Sequence, residues 1–291
     1  MADSLEISKT TCHSRSISLP SRNHPLETAI KELLQRLKSS DSTSSSPASS
    51  APQKLGGLKD LYDRIDDWLQ MPLNQQALSH EPHRSSMEEL LDGSLKLLDV
   101  CGNMKDIISQ MKECIQELES SFRRRRQGNP AWSSEIETYT KSRKRMQKMV
   151  AKLLDRLTKM ERKNNLRKHS NPEASLSILR EAEEISLTVF ESLLHVLLRP
   201  RERSKPISWS LVSNMLSLKR VSSDEKAEYI EGLDVELTVM KSAKDASPQV
   251  CNVSNRLEAL ESSVREIEED LECIYRRLVK TRAALLNMIN C

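Results

Sequence analysis

The chain has 291 residues, a net charge of +3, only 6 glycines and 3% aromatic residues. So few turn formers and strand-favouring aromatics exclude a β-sandwich or a doubly wound α/β enzyme, and the length suits one extended helical domain or two small ones. The small net charge hides an asymmetry: residues 123–168 hold sixteen Lys/Arg against four Asp/Glu, while 222–273 hold fourteen Asp/Glu against five Lys/Arg. Two such blocks are expected to face, or at least offset, each other in the fold.

Residues 1 to about 24 are polar and rich in Ser and Arg, a composition that cannot build a core and reads as a disordered arm. From Pro25 to Lys38 the apolar residues Leu26, Ile30, Leu33, Leu34 and Leu37 have helical spacing, with the proline suited to a first turn. Ser39 to Pro52 reads as a flexible Ser/Pro/Ala linker. The pair Gly56-Gly57 is expected to break the chain before a short helix carrying Leu58, Leu61, Ile65, Trp68 and Leu69, which Met71-Pro72 closes. A polar loop is then expected up to Ser85.

The stretch from Leu90 to Phe122 organises the rest. Leu97, Cys101, Met104, Ile108, Met111, Ile115, Leu118 and Phe122 recur at alternating steps of four and three, which places them on one helical stripe. Such a stripe is stable only when another helix covers it. After Gly128-Asn129-Pro130, the same pattern returns in Trp132, Ile136, Tyr139, Arg143, Met146, Val150, Leu153, Leu157 and Met160. Arg143 is the one charge on that stripe, and its stem is expected to lie along the seam with its head in water. Asn171-Pro172 opens a helix that runs to about Leu198, and weaker helical patterns cover 207–221 and 224–240. The clearest helix is the last, in which Val253, Leu257, Leu260, Val264, Ile267, Leu271, Ile274, Leu278, Leu285 and Met288 hold the heptad and Thr281 fills its one polar slot. The expectation is an all-α fold: an elongated antiparallel bundle of long, coiled-coil-like helices over 55–291, preceded by an arm, 1–54, with one short helix.

Several segments together resemble one family. They are His13 to Arg22 with His24-Pro25, Gly57-Leu58 through Leu69-Gln70-Met71-Pro72, Leu90-Leu91-Asp92-Gly93-Ser94 through Cys101-Gly102, and Arg276-Arg277-Leu278-Val279-Lys280-Thr281-Arg282 with Leu285-Leu286-Asn287. The sequence is similar to the plant-specific BYPASS-like family, domain of unknown function 241, over nearly its whole length. That resemblance implies a helical plant protein and, for BYPASS itself, a role in root and shoot development. It implies no enzymatic activity and carries over no catalytic residues.

Two features bear on partners. Arg15, Ser18 and Pro20 form the pattern of a basophilic kinase site that, once phosphorylated, 14-3-3 proteins read; an Arg cluster on the reader captures the dianion and the proline turns the chain out of its groove. Arg167/Ser170/Pro172 and Arg201/Ser204/Pro206 repeat the pattern. The basic block (Arg123, Arg124, Arg125, Arg126, Arg143, Lys144, Arg145) suits an anionic surface, but few aromatics interleave it, so base-specific nucleic-acid readout is not expected. Its default reading is a solvated face paired with the acidic helices.

No pattern marks a cofactor, metal or catalytic site. His80 and His83 lack further ligands nearby, and His195, on an apolar run, reads as a core residue. The six cysteines contain no Cys-x-x-Cys pair and no apolar leader precedes them, which points to reduced thiols in the cytoplasm or nucleus; Asp3 and Glu6 weigh against a chloroplast transit peptide. The most apolar run, Ile185 to Leu198, is too short to span a bilayer. The expected function is a non-enzymatic helical scaffold or regulator with a phosphorylatable docking motif; the alternative is a peripheral factor that binds anionic membrane or nucleic acid through residues 123–168.

Overall fold

A computed structural model describes residues 24–43, 47–79, 84–125, 133–166, 174–198, 233, 237 and 247–290. They form seven helices: α1 (Pro25–Thr43), α2 (Pro47–Leu69), α3 (Pro72–Leu78), α4 (Arg84–Arg125), α5 (Ser133–Leu166), α6 (Ala174–Leu198) and α7 (Ser247–Asn290). There is no strand among the described residues.

The four–three stripes are the core. On α4 every residue from Leu97 to Phe122 on the stripe is buried, and α7 answers with Val253, Leu257, Leu260, Val264, Leu271, Ile274, Leu278, Leu285 and Met288. At 42 and 44 residues the two helices are about 63 and 66 Å long at 1.5 Å per residue. They run antiparallel, as the contacts Ser94–Arg282 and Gln116–Glu261 at opposite ends show. Helix α2 lies parallel to α7, pairing Lys59 with Asp270 and Asp66 with Lys280. Helix α6 covers α2, α4 and α5, and α5 returns along α4.

Helix α1 joins the same core through Ile30, Leu33, Leu34 and Leu37. The stretch read as a linker is mostly helix: α1 runs on to Thr43 and α2 begins at Pro47, so Gly56-Gly57 lies inside a helix and does not break the chain. Gly57 works by closeness. A Cβ built there would sit 2.9 Å from Leu37 Cδ2, so its bare backbone lets α1 fold back tightly on α2.

The expected polar loop after Leu69 also contains a helix. Pro72 fits the first turn of α3, where its missing N–H is not needed, and Met71 ahead of it is extended at φ −72° and ψ 128°. Asn74 Nδ2 donates to the Trp68 carbonyl at 2.8 Å, which ties the turn to α2, and Leu78 anchors α3 in the core. The predicted helices of 207–221 and 224–240 lie outside the described residues except for Leu233 and Leu237, which are helical and buried.

Candidate interaction surfaces

Charges on the bundle fall into two regimes. Along the α4–α7 seam they are paired. Lys105 meets Glu272, Lys112 meets Glu268, Ser109 Oγ donates to Glu268 at 2.8 Å and Gln116 Nε2 to Glu261 at 2.8 Å. These donors hold the Glu261, Glu268 and Glu272 carboxyls below the usual carboxylate range: Gln116 foremost for Glu261, Lys112 for Glu268 and Lys105 for Glu272. Lys105 also lies 4.5 Å from the centre of the Tyr275 ring, a cation–π contact.

Across the helix interfaces the acidic residues of α7 thus find their partners on α4 and, for Asp270, on α2. Among the described residues the acidic face of α7 does not meet the basic face of α5, because α5 packs on α4 and α6 while α7 packs on α4 and α2; the rest of the acidic block, 222–246, lies outside the described residues except for Leu233 and Leu237. Within α5, Lys141 pairs with Glu137 at 2.8 Å and Lys159 with Asp155 at 2.5 Å.

Around the outside of α5 the picture differs. Lys144, Arg145, Lys148, Lys152 and Arg156 are all exposed, and no carboxylate among the described residues pairs with any of them. Lys148, Lys152 and Arg156 were not among the residues singled out from sequence; their signal is position, since they fall between the buried members of the stripe. Arg143, which was singled out, is 6% exposed and belongs to the core face, so its head does not reach out to water. The heptad position outweighs the charge. Arg123 is exposed and donates to Glu119 at 2.5 Å, and exposed Arg124 donates to Ser121 Oγ at 3.2 Å. Arg125 closes α4. Arg126, the motif residues Arg15, Ser18, Pro20, Ser170 and Ser204, and both His80 and His83 lie outside the described residues.

At the opposite end of α4 the helices are tied by polar contacts. Arg282 of α7 donates to the Leu91 carbonyl and, at 2.9 Å, to Ser94 Oγ. Arg277 pairs with Asp63, and Arg180 of α6 reaches Glu89 at 2.9 Å. A Cβ on Gly93 would fall 2.1 Å from Glu183 Oε1, so the Glu183 carboxylate sits where a side chain would stand. Between α2 and α6, Tyr62 Oη and Ser186 Oγ are 2.9 Å apart and buried. Ser186 has one hydroxyl proton and gives it to the Ala182 carbonyl at 2.6 Å, so the phenol donates to Ser186. Burial pushes the Tyr62 phenol up, which keeps it protonated as a donor.

Nearby, Asp66, Gln75, Lys280, Ala284, Asn287 and Met288 line a groove of about 920 Å³ between the ends of α2 and α7 and helix α3. The Cys101 thiol is buried with its Sγ 3.7 Å from the Leu271 carbonyl, and burial pushes its pKa up to about 12. It is therefore an unreactive core thiol. His195 is not in the core; its side chain is 63% exposed, 3.7 Å from Glu191, because it points away from the buried face carried by Leu193, Leu194 and Leu197. No group of His, Cys, Asp or Glu among the described residues could hold a metal ion, and no helix among them is long and apolar enough to cross a membrane.

A family profile described as Protein BPS1 matches residues 54–288. The search of curated proteins and the search of solved structures each return no match.

Proposed function

The chain belongs to the BPS1 family, and on that premise we propose that it is a non-enzymatic helical interaction protein that regulates plant growth and development. It works by presenting surfaces and a docking motif to protein partners. The observation that carries this reading is the motif Arg15-Ser16-Ile17-Ser18-Leu19-Pro20, which precedes in sequence the helices that build the core. Phosphate on Ser18 would add a dianion that the Arg cluster of a 14-3-3 protein can take in charge-assisted hydrogen bonds. Ser170 and Ser204, each with Arg three residues before and Pro two after, supply further docking positions for a dimeric reader. Binding of phosphorylated and unphosphorylated peptides spanning Ser18 to a 14-3-3 protein tests the proposal. A strong preference for the phosphopeptide supports it, and equal binding rejects it.

A further inference from the structure

We infer that the outer face of α5 is a docking rail for an anionic lipid bilayer, a function separate from the phosphoserine motif. Lys144, Arg145, Lys148, Lys152 and Arg156 lie on the solvent side of one helix, about 18 Å from first to last at 1.5 Å per residue. No carboxylate among the described residues neutralises any of them, and none occurs in the chain between Glu137 and Asp155. Elsewhere on the bundle several cations have carboxylate partners, Lys38 in Glu181, Lys59 in Asp270 and Lys280 in Asp66, whereas on α5 five in succession have none among the described residues. A row of like charges that no described carboxylate pairs is costly to the folded chain by self-repulsion, and is relieved when a surface of opposite charge is brought up to it.

The shape of the row selects the partner. It is a single convex line on an edge helix, which touches a plane along its whole length but cannot wrap a duplex. The face carries no aromatic residue on which bases could stack; Tyr139 of the same helix is buried. Lysine outnumbers arginine among the five by three to two. Lysine acts as a point charge suited to a diffuse anionic surface, whereas specific phosphate recognition favours the arginine fork. No large apolar side chain of α5 is exposed among the residues whose burial is described, so binding would be by charge alone, without insertion, and steeply dependent on salt.

The test uses the full chain and vesicles of phosphatidylcholine with or without phosphatidylserine, in a flotation assay at low and at physiological salt. Binding is expected only with phosphatidylserine, weaker at the higher salt, and reduced about tenfold or more in a Lys144→Gln/Arg145→Gln/Lys148→Gln/Lys152→Gln variant. These residues are exposed, so the variant keeps its helical circular dichroism. A Lys144→Arg/Lys148→Arg/Lys152→Arg variant retains binding. Equal binding to neutral vesicles, or undiminished binding by the glutamine variant, overturns the inference. So does a rail that ignores vesicles but binds single-stranded or duplex RNA, which would make nucleic acid its ligand.

Discussion

Arg282 of α7 donates to Ser94 of α4 at 2.9 Å and to the carbonyl of Leu91 one turn earlier. The two residues come from two of the segments that carry the family resemblance, and the fold brings those segments together at one end of the bundle. The third marked segment meets them there, since Asp63 and Asp66 of α2 take Arg277 and Lys280. Much of the family signature is therefore a description of how α2, α4 and α7 are tied. Replacing Arg282 by Met keeps the stem but removes both donated bonds, and is expected to cost about 1–3 kcal/mol in urea denaturation. Lysine at that position should recover part of the loss.

The buried pair of Tyr62 and Ser186 should respond asymmetrically. Tyr62→Phe leaves Ser186 still donating to Ala182 and should cost about 1 kcal/mol. Ser186→Ala leaves the phenol proton buried with nowhere to go, and should cost more, about 1–3 kcal/mol. The double variant should be less destabilised than the sum of the two, which equilibrium unfolding of all four proteins measures.

Glycines within helices separate by their surroundings. Nothing lies within 4 Å of a Cβ built on Gly56, so Gly56→Ala should stabilise by up to about 1 kcal/mol from helix propensity alone. Gly93→Ala must first displace the Glu183 carboxylate and should lose that gain. Combining Gly93→Ala with Glu183→Ala should restore it, and thermal melts of the three variants decide the matter.

Stability should fall on acidification because of the α4–α7 seam. The Glu261, Glu268 and Glu272 carboxyls have lowered pKa values in the fold, so the unfolded chain binds protons more readily than the native one below its ordinary carboxylate range. Their contribution is present above the unfolded pKa and is lost as pH falls through the folded one. Glu161 acts in the opposite sense: burial foremost, and then Glu191, raise its pKa, so its protonated form is favoured by folding and stability is lost as pH rises through that raised value. Urea midpoints measured across the acidic range should fall more steeply for the native chain than for Glu268→Gln.

The long helices were legible because a four–three repeat of buried residues has one geometric solution, and the α4, α5 and α7 stripes are buried nearly as read. Even Thr281, the polar slot of α7, is buried as its heptad position requires. Short-range punctuation was less legible. Gly56-Gly57 reads as a break, yet the helix runs through it, with α1 packed through Leu37 where a side chain on Gly57 would have stood, and Pro72 reads as a stop although it starts α3. The basic block was legible as charge but not as surface: the stripe decides that Arg143 is inside while Lys148, Lys152 and Arg156 are outside. The pairing of α7 with α2 and α4 was not legible, since complementary charge blocks do not specify which helices are adjacent.

The central claim is that this protein acts by docking partners through Ser18. Proximity labelling in plant cells with the native chain and with Ser18→Ala tests it most directly. The account predicts a discrete set of labelled proteins, including a phosphopeptide reader, part of which disappears with Ser18→Ala. An identical set for both proteins would contradict it.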